Sequence, residues 1–381
     1  MAERPLLDRR ITEVLATSTG GVGTHVRSVL PSLVAAGAEV TVAGPRATDE
    51  LFAFSASGAR FTPVEISTGL SPAADARAAG ALRRVLAGTE LVHAHGLRAG
   101  LVTAAARRLA GVDVRSVLTL HNALQDGGGL RRRVLEQLER VTVRAADVVL
   151  AASSDLAENA RRLGARDVRL APVSAPPLPP ATRTRTEVRE ELGIVDDRAL
   201  VVAVGRLHPQ KGYDVLLEAV ARWSVDPRVR PAPLVVVAGD GPSHDELATR
   251  VQRELLPVTL LGRRDDVADL LGAADLCVLP SRWEARSLTA QEALRAGTPL
   301  VATRVGGLPE LLGDAAELVP AGDAVALAEA VVRVLCDSAH AAELAEAGLR
   351  QAATWPDEEA TAAQLAELYR ELLEAPARPR R

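Results

Sequence analysis

The sequence predicts an α/β protein built from two doubly wound domains, and three observations carry the prediction. Short apolar, β-branched runs alternate with helix-period patterns through both halves of the chain. At 381 residues, 48% of them apolar, the chain exceeds one ordinary core and can fill two. Between the halves, Ala171 to Pro180 reads APVSAPPLPP, half of it proline. Such a stretch forms neither a helix nor a central strand and acts as a stiff linker.

Composition narrows the function classes. A formal net charge of −4 argues against a general nucleic-acid binder. The two cysteines, Cys277 and Cys336, lack CxxC or Cys/His ligand spacing, and Cys277 sits inside an apolar strand pattern, where a packed thiol is expected. A reducing compartment with no structural zinc follows. The N-terminus, MAERPLLDRRITEVLAT, has no long apolar run and no small-residue cleavage site, and no window has the length of a membrane span. A cytoplasmic protein is therefore expected.

In the first half, a β-type run from Ile11 to Thr17 leads into Gly20-Gly21-Val22-Gly23 and a helical pattern from Thr24 to Ala36. Strand, glycine loop and helix open a nucleotide-binding α/β unit, although GGVG lacks the full G-x-G-x-x-G dinucleotide spacing. Strands follow at Val40 to Ala43 and Arg60 to Val64, then a helix from Ala73 to Leu86. The strand ending in HAHG carries His93 and His95 on one face, and the next, Arg115 to Leu120, ends at His121. Histidines at two successive strand ends place His95 and His121 on one crevice, with His93 packing deeper. The run Gly127-Gly128-Gly129 precedes Arg131-Arg132-Arg133 and a helix to Ala145. Such a charge run is ordinarily a solvated face; the sharper reading is peripheral contact with an anionic membrane or a phosphorylated acceptor.

In the second half, the strand Leu200 to Val204 runs directly into GRLHPQKG, and a helix follows from Tyr213 to Trp223. This sets Arg206 and Lys211, with Gly205 and Gly212, between a strand end and a helix start. A guanidinium fork and a mobile ammonium there suit a phosphate, although the P-loop pattern is absent. Strands at Leu234 to Ala238 and Val258 to Leu261 and a helix from Val267 to Ala273 continue the alternation. After the strand Asp275 to Leu279 comes the densest chemistry: a loop with Glu284, a helix from Leu288 to Ala296 carrying Glu292, a strand through Leu300 and Val301, and a turn at Gly306 and Gly307. Ser287 suits the N-cap, which leaves the N–H groups of Leu288 and Thr289 free for an anion. Helices at Ala324 to Leu335, Ala339 to Ala353 and Asp357 to Glu374 close the chain.

The pair Glu284-x7-Glu292, continued by EALRAGTPLVATRVGGLPEL, together with GRLHPQKG, resembles the retaining GT-B glycosyltransferases of family 4. The resemblance covers essentially the whole chain, including the GG loop, HAHG, His121 and the helix after Trp355. It implies a GT-B fold of two Rossmann-like domains facing a central cleft. Residues 1–180 would bind the acceptor and residues 181–356 the nucleotide sugar, with the helix 357–375 packing back on the first domain. The expected activity is transfer of a hexosyl group from a UDP- or GDP-linked sugar to a hydroxyl of a lipid, glycan or small molecule, without metal or resident cofactor.

The resemblance also implies residue roles. Arg206 and Lys211 neutralise the diphosphate beside Gly205, and Ser287, Leu288 and Thr289 add the helix start. Arg263 meets the base, Glu292 the ribose and Glu284 the sugar. His95 or His121 contacts the sugar from the other domain, and Gly20 with Gly21 approaches the phosphate or the acceptor. Same-face attack, assisted by the leaving phosphate, requires no protein nucleophile. Many relatives read Glu-Gly-Phe-Gly where this chain reads Glu284-Ala285-Arg286-Ser287, so loss of two glycines is expected to restrict this loop and to separate donor preference. Two other readings stay open: a disaccharide synthase or phosphorylase of the same fold, and an inactive nucleotide-sugar-binding regulatory protein. A nicotinamide dehydrogenase is disfavoured by the missing fingerprint.

Overall fold

A computed structural model describes residues 4–111, 114–123, 129–171, 175, 177–194 and 198–376, apart from the side chains of Leu130 and Arg131. The Gly127–Gly128 part of the glycine run, Arg131 as a membrane-contact side chain and part of the proline-rich linker lie outside the described residues. The chain divides into two compact units, Met1–Pro176 with Pro356–Arg381, and Pro177–Trp355. The last helix thus belongs to the first unit.

In unit 1, β1 (Arg10–Leu15), β2 (Glu39–Gly44), β3 (Arg60–Pro63), β4 (Leu91–His95), β5 (Arg115–Leu120), β6 (Val148–Ala151) and β7 (Val168–Leu170) form a parallel sheet ordered β3-β2-β1-β4-β5-β6-β7. Winding reverses between β1 and β4, where such sheets open a crevice at their carboxyl ends. One face buries Ile11, Val40, Leu91 and Val117 against Val26, Leu30 and Leu33 of the helix Gly21–Ala35 and against Leu365, Leu368 and Tyr369 of the helix Glu358–Glu374. Three consecutive turns of apolar residues on that last helix explain why it docks.

Unit 2 repeats the plan with β8 (Leu200–Val204), β9 (Leu234–Ala238), β10 (Val258–Gly262), β11 (Leu276–Leu279), β12 (Leu300–Thr303) and β13 (Glu317–Val319), ordered β10-β9-β8-β11-β12-β13 and parallel throughout. Its winding reverses between β8 and β11. Strand residues alternate faces: Val201, Val235 and Val278 pack on the helices Tyr213–Trp223 and Ala324–Cys336, while Leu200, Val202, Val236 and Cys277 pack on Leu271, Ala293 and Leu311. Burial on both faces is what makes these strands read as unbroken apolar runs. Burial, reinforced by Glu292, pushes the Cys277 thiol up to about 12, so it is an inert core group.

Among the described residues, no helix is long and apolar enough to cross a membrane. On the helix Gly129–Ala145, Arg132 and Arg133 are exposed, and Arg132 pairs with Glu136 at 3.0 Å.

Three histidines of unit 1 are held neutral by their surroundings. Burial, then repulsion from His95, pushes His25 down to about 3, and the same causes lower His93 and His121 well below their ordinary 6.5. A depressed folded-state value means that the unfolded chain binds the extra protons, so stability is complete above pH 6.5 and is lost as the pH falls. Each histidine costs about 1.4 kcal/mol per pH unit within that window. The denaturant midpoint is therefore expected to fall steadily between pH 6.5 and 5, and a flat midpoint there would contradict neutral burial.

Candidate functional site

The site in unit 2 forms at the winding reversal, from the loop after β8 and the loop after β11. These loops touch backbone to backbone. A Cβ on Gly212, at φ +68°, would lie 2.0 Å from the Pro280 carbonyl oxygen, so only glycine permits the approach. The Arg282 N–H donates to the Gln210 carbonyl at 2.7 Å, and the Gln210 side chain donates to the Trp283 carbonyl at 3.0 Å. Gly306 closes the arrangement from behind: its φ is +50°, and the Gly307 N–H donates to the Glu284 carbonyl at 2.9 Å.

This stitching brings Lys211 and Glu284 together. Lys211 Nζ donates to Glu284 Oε1 at 2.6 Å, and Ser281 Oγ donates to the same oxygen at 2.7 Å. Sequence reasoning assigns the two residues to separate ligand groups; in the structure they are partners. Arg206 is exposed on the same loop and makes no ion pair with a described residue. Ser287 is the N-cap of the helix Leu288–Arg295, its Oγ accepting from the Ala290 N–H at 3.3 Å. The N–H groups of Leu288 and Thr289 find no acceptor among the described residues and remain available to an anion.

Glu292, four residues into that helix, is partly buried and has no side-chain hydrogen bond among the described residues. Burial pushes its carboxyl up, with Arg295 opposing. A carboxylate in this state gains from hydroxyl donors. Arg263, after β10, is exposed and lies 3.7 Å from Asp265. Gly205 leaves β8 at φ +152°, with the Tyr213 hydroxyl donating to its carbonyl at 3.2 Å.

Unit 1 holds a cluster at the carboxyl ends of β1, β4 and β5. His95, expected from sequence to line a crevice, is instead 3% exposed, with both ring nitrogens engaged: Nε2 lies 2.7 Å from Glu13 Oε2, and Nδ1 lies 3.3 Å from His121 Nε2. The reason is Glu13, a carboxylate buried in the middle of β1 that draws the imidazole inward. His121 is the partly exposed ring of the pair, stacked on His95 with centroids 5.5 Å apart. His93 packs as expected, 2.6 Å from both Tyr369 Oη and Thr119 Oγ1. Sequence reasoning misses His25, Glu13 and Tyr369. His25 sits edge-on to His95 and His121 and has a buried Nδ1 without a partner.

Among the described residues, Glu13, His93 and His95 are the three that could converge on a metal, with donor atoms within 4.8 Å of one another. Glu13 lies 2.7 Å from His95 and 2.8 Å from Tyr369, and His93 lies 2.6 Å from Tyr369 and 3.4 Å from Glu13, so the cluster is a hydrogen-bonded network. Gly20 caps the helix Gly21–Ala35, and a Cβ there would meet nothing within 4 Å. No protein contact requires glycine at Gly20.

The contrast between two glycines is testable by calorimetry. Gly306→Ala places a Cβ 2.0 Å from the Glu284 carbonyl oxygen at positive φ. A cost of about 2 kcal/mol, hence a melting temperature lower by about 4–8 °C, is expected. Gly20→Ala is expected to shift it by less than about 2 °C, and equal losses would refute this reading.

Two family profiles match the chain, Glycosyl transferase 4-like domain over residues 20–176 and Glycosyl transferases group 1 over residues 198–337. The chain is 33% identical over 248 residues to TuaC of Bacillus subtilis, provisionally named a teichuronic acid biosynthesis glycosyltransferase, a stretch covering 64% of this chain and 61% of that protein. It is 32% identical over 194 residues to the alpha-D-kanosaminyltransferase of Streptomyces kanamyceticus, covering 49% of each. It thus spans between about half and three-fifths of the length of these relatives. Among solved structures, HepE of Anabaena superposes with a TM-score of 0.79 at 21% identity, covering 95% of this chain and all of that one. The sucrose-phosphate synthase of Thermosynechococcus elongatus does so at 0.76 and 23%, covering 96% and 99%. With two parallel sheets, two winding reversals and both family halves matched in order, the chain belongs to the GT-B glycosyltransferases of group 1.

Proposed function

We propose that this protein is a retaining, metal-independent glycosyltransferase that moves a hexosyl group from a UDP- or GDP-linked sugar to an acceptor hydroxyl. The observation that carries the reading is the Lys211–Glu284 pair held beside the open helix start at Leu288 and Thr289. HepE of Anabaena, with the same fold, has been crystallised with UDP and with UDP-glucose, which supports a nucleotide-sugar donor.

In the proposed complex, the leaving diphosphate meets Arg206, Lys211 and the amides of the Leu288 helix. Charge develops there as the glycosidic bond breaks, and cations already in place stabilise it without reorganisation. Lys211 then divides its donors between phosphate and Glu284. Glu284, held by Ser281, is freed to accept from a sugar hydroxyl. Glu292 takes the two ribose hydroxyls as the donors it lacks, and Arg263 with Gly205 borders the nucleotide. In unit 1, His121 and the Gly20-Gly21 turn are the groups proposed to meet ligand. The acceptor hydroxyl attacks on the face that the phosphate leaves, the phosphate receiving its proton. Exposed Arg132 and Arg133 are proposed to add peripheral contact with an anionic membrane, which co-sedimentation with anionic liposomes at low salt checks.

Two measurements test the proposal. In a thermal-shift screen, one nucleotide sugar is expected to raise the melting temperature, since a ligand at 100 times its Kd adds about 2.7 kcal/mol. In a transfer assay, Lys211→Ala, Glu284→Ala and Glu292→Ala are each expected to lower kcat/KM by about a hundredfold or more, the loss expected for about 2.7 kcal/mol, with the fold intact. Near-normal turnover in all three would sink the assignment.

A further inference from the structure

We propose that unit 1 holds a ligand site of its own, a cavity between the helix Glu358–Glu374 and the strands β5 to β7, built for an uncharged apolar molecule that carries a hydroxyl. The proposal stands on unit 1 alone and is independent of the glycosyltransferase reading.

The cavity measures about 490 Å³ and is lined by residues of unit 1. That is an ordinary size for a small-molecule site. It forms where the cover of the sheet runs out. The helices Gly21–Ala35 and Glu358–Glu374 pack on one face, and beyond the second of them Leu170, on the edge strand β7, is left 50% exposed. Its walls pass from Thr119 and Leu150, which are buried, to Ala363 and Glu367 on the exposed side of the last helix, so it has a closed end and a mouth.

His25 belongs to the buried part of the lining, at 5% exposure. The face of the helix that it shares with Val29 and Leu33 is otherwise apolar, so an aliphatic side chain would complete that face. The edge-on contacts of its ring with His95 and His121 account for its place and satisfy neither nitrogen. Among the described residues neither nitrogen has a hydrogen-bond partner, and Nδ1 is sealed from solvent besides, which leaves Nε2 as the nitrogen with access. A buried polar side chain without a partner is an exception in native proteins. Here the adjoining cavity has room for the partner.

The lining also defines the chemistry of the occupant. A hydroxyl both donates and accepts, so it suits Nε2 wherever the neutral ring carries its proton. The charged side chains of the lining are already paired: Arg169 donates to Glu371 at 2.6 and 2.7 Å and to Asp167 at 2.7 Å, and Glu367 accepts from Arg370 at 3.0 Å. Burial keeps the His25 ring neutral as well. An ionised molecule would therefore lose its hydration here and gain no opposite charge. Leu150, Leu170, Leu365 and Leu368 offer apolar surface to the rest of the occupant.

The test titrates the full chain, labelled with nitrogen-15 at histidine, with three molecules of one carbon skeleton: thymol, p-cymene, which lacks the hydroxyl, and para-isopropylbenzoate, which carries a carboxylate. The linear alcohol n-octanol is a second hydroxyl probe of different shape. At least one of the two alcohols is expected to bind saturably and to move the ring signals of His25, identified by their loss when His25 is replaced. Thymol is expected to bind about tenfold tighter than p-cymene, the effect of one buried hydrogen bond, and the carboxylate weakest of the three. His25→Phe keeps a ring in the same space, and in it the preference for thymol is expected to shrink to within about twofold. The proposal is overturned if neither alcohol binds, if binding leaves the His25 signals in place, if the carboxylate binds as tightly as thymol, or if the preference for thymol survives in His25→Phe. Should that variant not fold, Leu170→Asp takes its place. A charge at this half-exposed rim is expected to weaken thymol and p-cymene alike by about tenfold or more, and unchanged affinity would overturn the proposal.

Discussion

Both units depend on one topological constraint, the reversal of winding in a parallel sheet. At β1/β4 and β8/β11 the helices that follow neighbouring strands leave toward opposite faces, so the carboxyl ends between them are uncovered by secondary structure. In unit 2 the two loops that border this gap would spread apart if each had to clear a side chain. Gly212 removes that obstacle, letting the loop after β8 rest on the Pro280 carbonyl. The ion pair between Lys211 and Glu284 is a consequence of this backbone contact. Seventy-three residues separate the pair in sequence, and only the adjacency of β8 and β11 joins them.

Each unit then spends stability on a sheltered carboxylate, in different ways. Glu284 is satisfied by an ammonium and a hydroxyl, a pairing that a competing phosphate can loosen. Glu13 has no cation beside it that is fixed in charge; it is satisfied by hydrogen bonds from Tyr369 and His95. An uncompensated buried carboxylate costs about 3–5 kcal/mol. Tyr369 comes from the last helix, 356 residues from Glu13. Docking of that helix therefore does more than cover apolar side chains of the sheet. It completes the shell of the charge around which the histidines are ordered, so the end of the chain is part of the site architecture of its beginning.

Much of this was legible in sequence wherever a strong local signal matched the tertiary role. Strands β8 and β9 and the helix Tyr213–Trp223 fall on the residues expected, because apolar runs flanked by glycine turns mark buried parallel strands. The Ser287 cap was readable for the same reason. Short or half-exposed elements were not. Strand β7 is three residues with Arg169 at its centre, held by Asp167 and Glu371, so it shows no apolar pattern. The helix Arg185–Glu191 did leave a usable signal, the Thr184–Glu187 capping box. The burial of His95 left none. Its cause is Glu13, 82 residues earlier, and a glutamate within a short apolar strand reads as an outward-facing residue until the pairing of β1 with β4 is known.

The loop Glu284-Ala285-Arg286-Ser287 shows how a departure from the family pattern can leave a backbone unstrained. Losing two glycines would strain the loop only if those positions needed a left-handed backbone. The described non-glycine residues with positive φ are Asp8, Ala53 and Leu255; Ala285 and Ser287 are not among them, and Ser287 sits at φ −60°. The replacement is therefore free of backbone strain, and it adds a hydroxyl cap that glycine could not supply. Arg286 turns toward Trp355, its guanidinium 5.9 Å from the ring, with Arg295 at the same distance. Burial lowers its affinity for its proton, Glu310 opposing the shift and Arg295 adding to it. The residue that takes the place of an apolar ring thus stacks on an aromatic face of its own unit, a contact suited to a planar, weakly hydrated cation. Its charge is turned to packing within unit 2, away from the loop that carries Arg206 and Lys211.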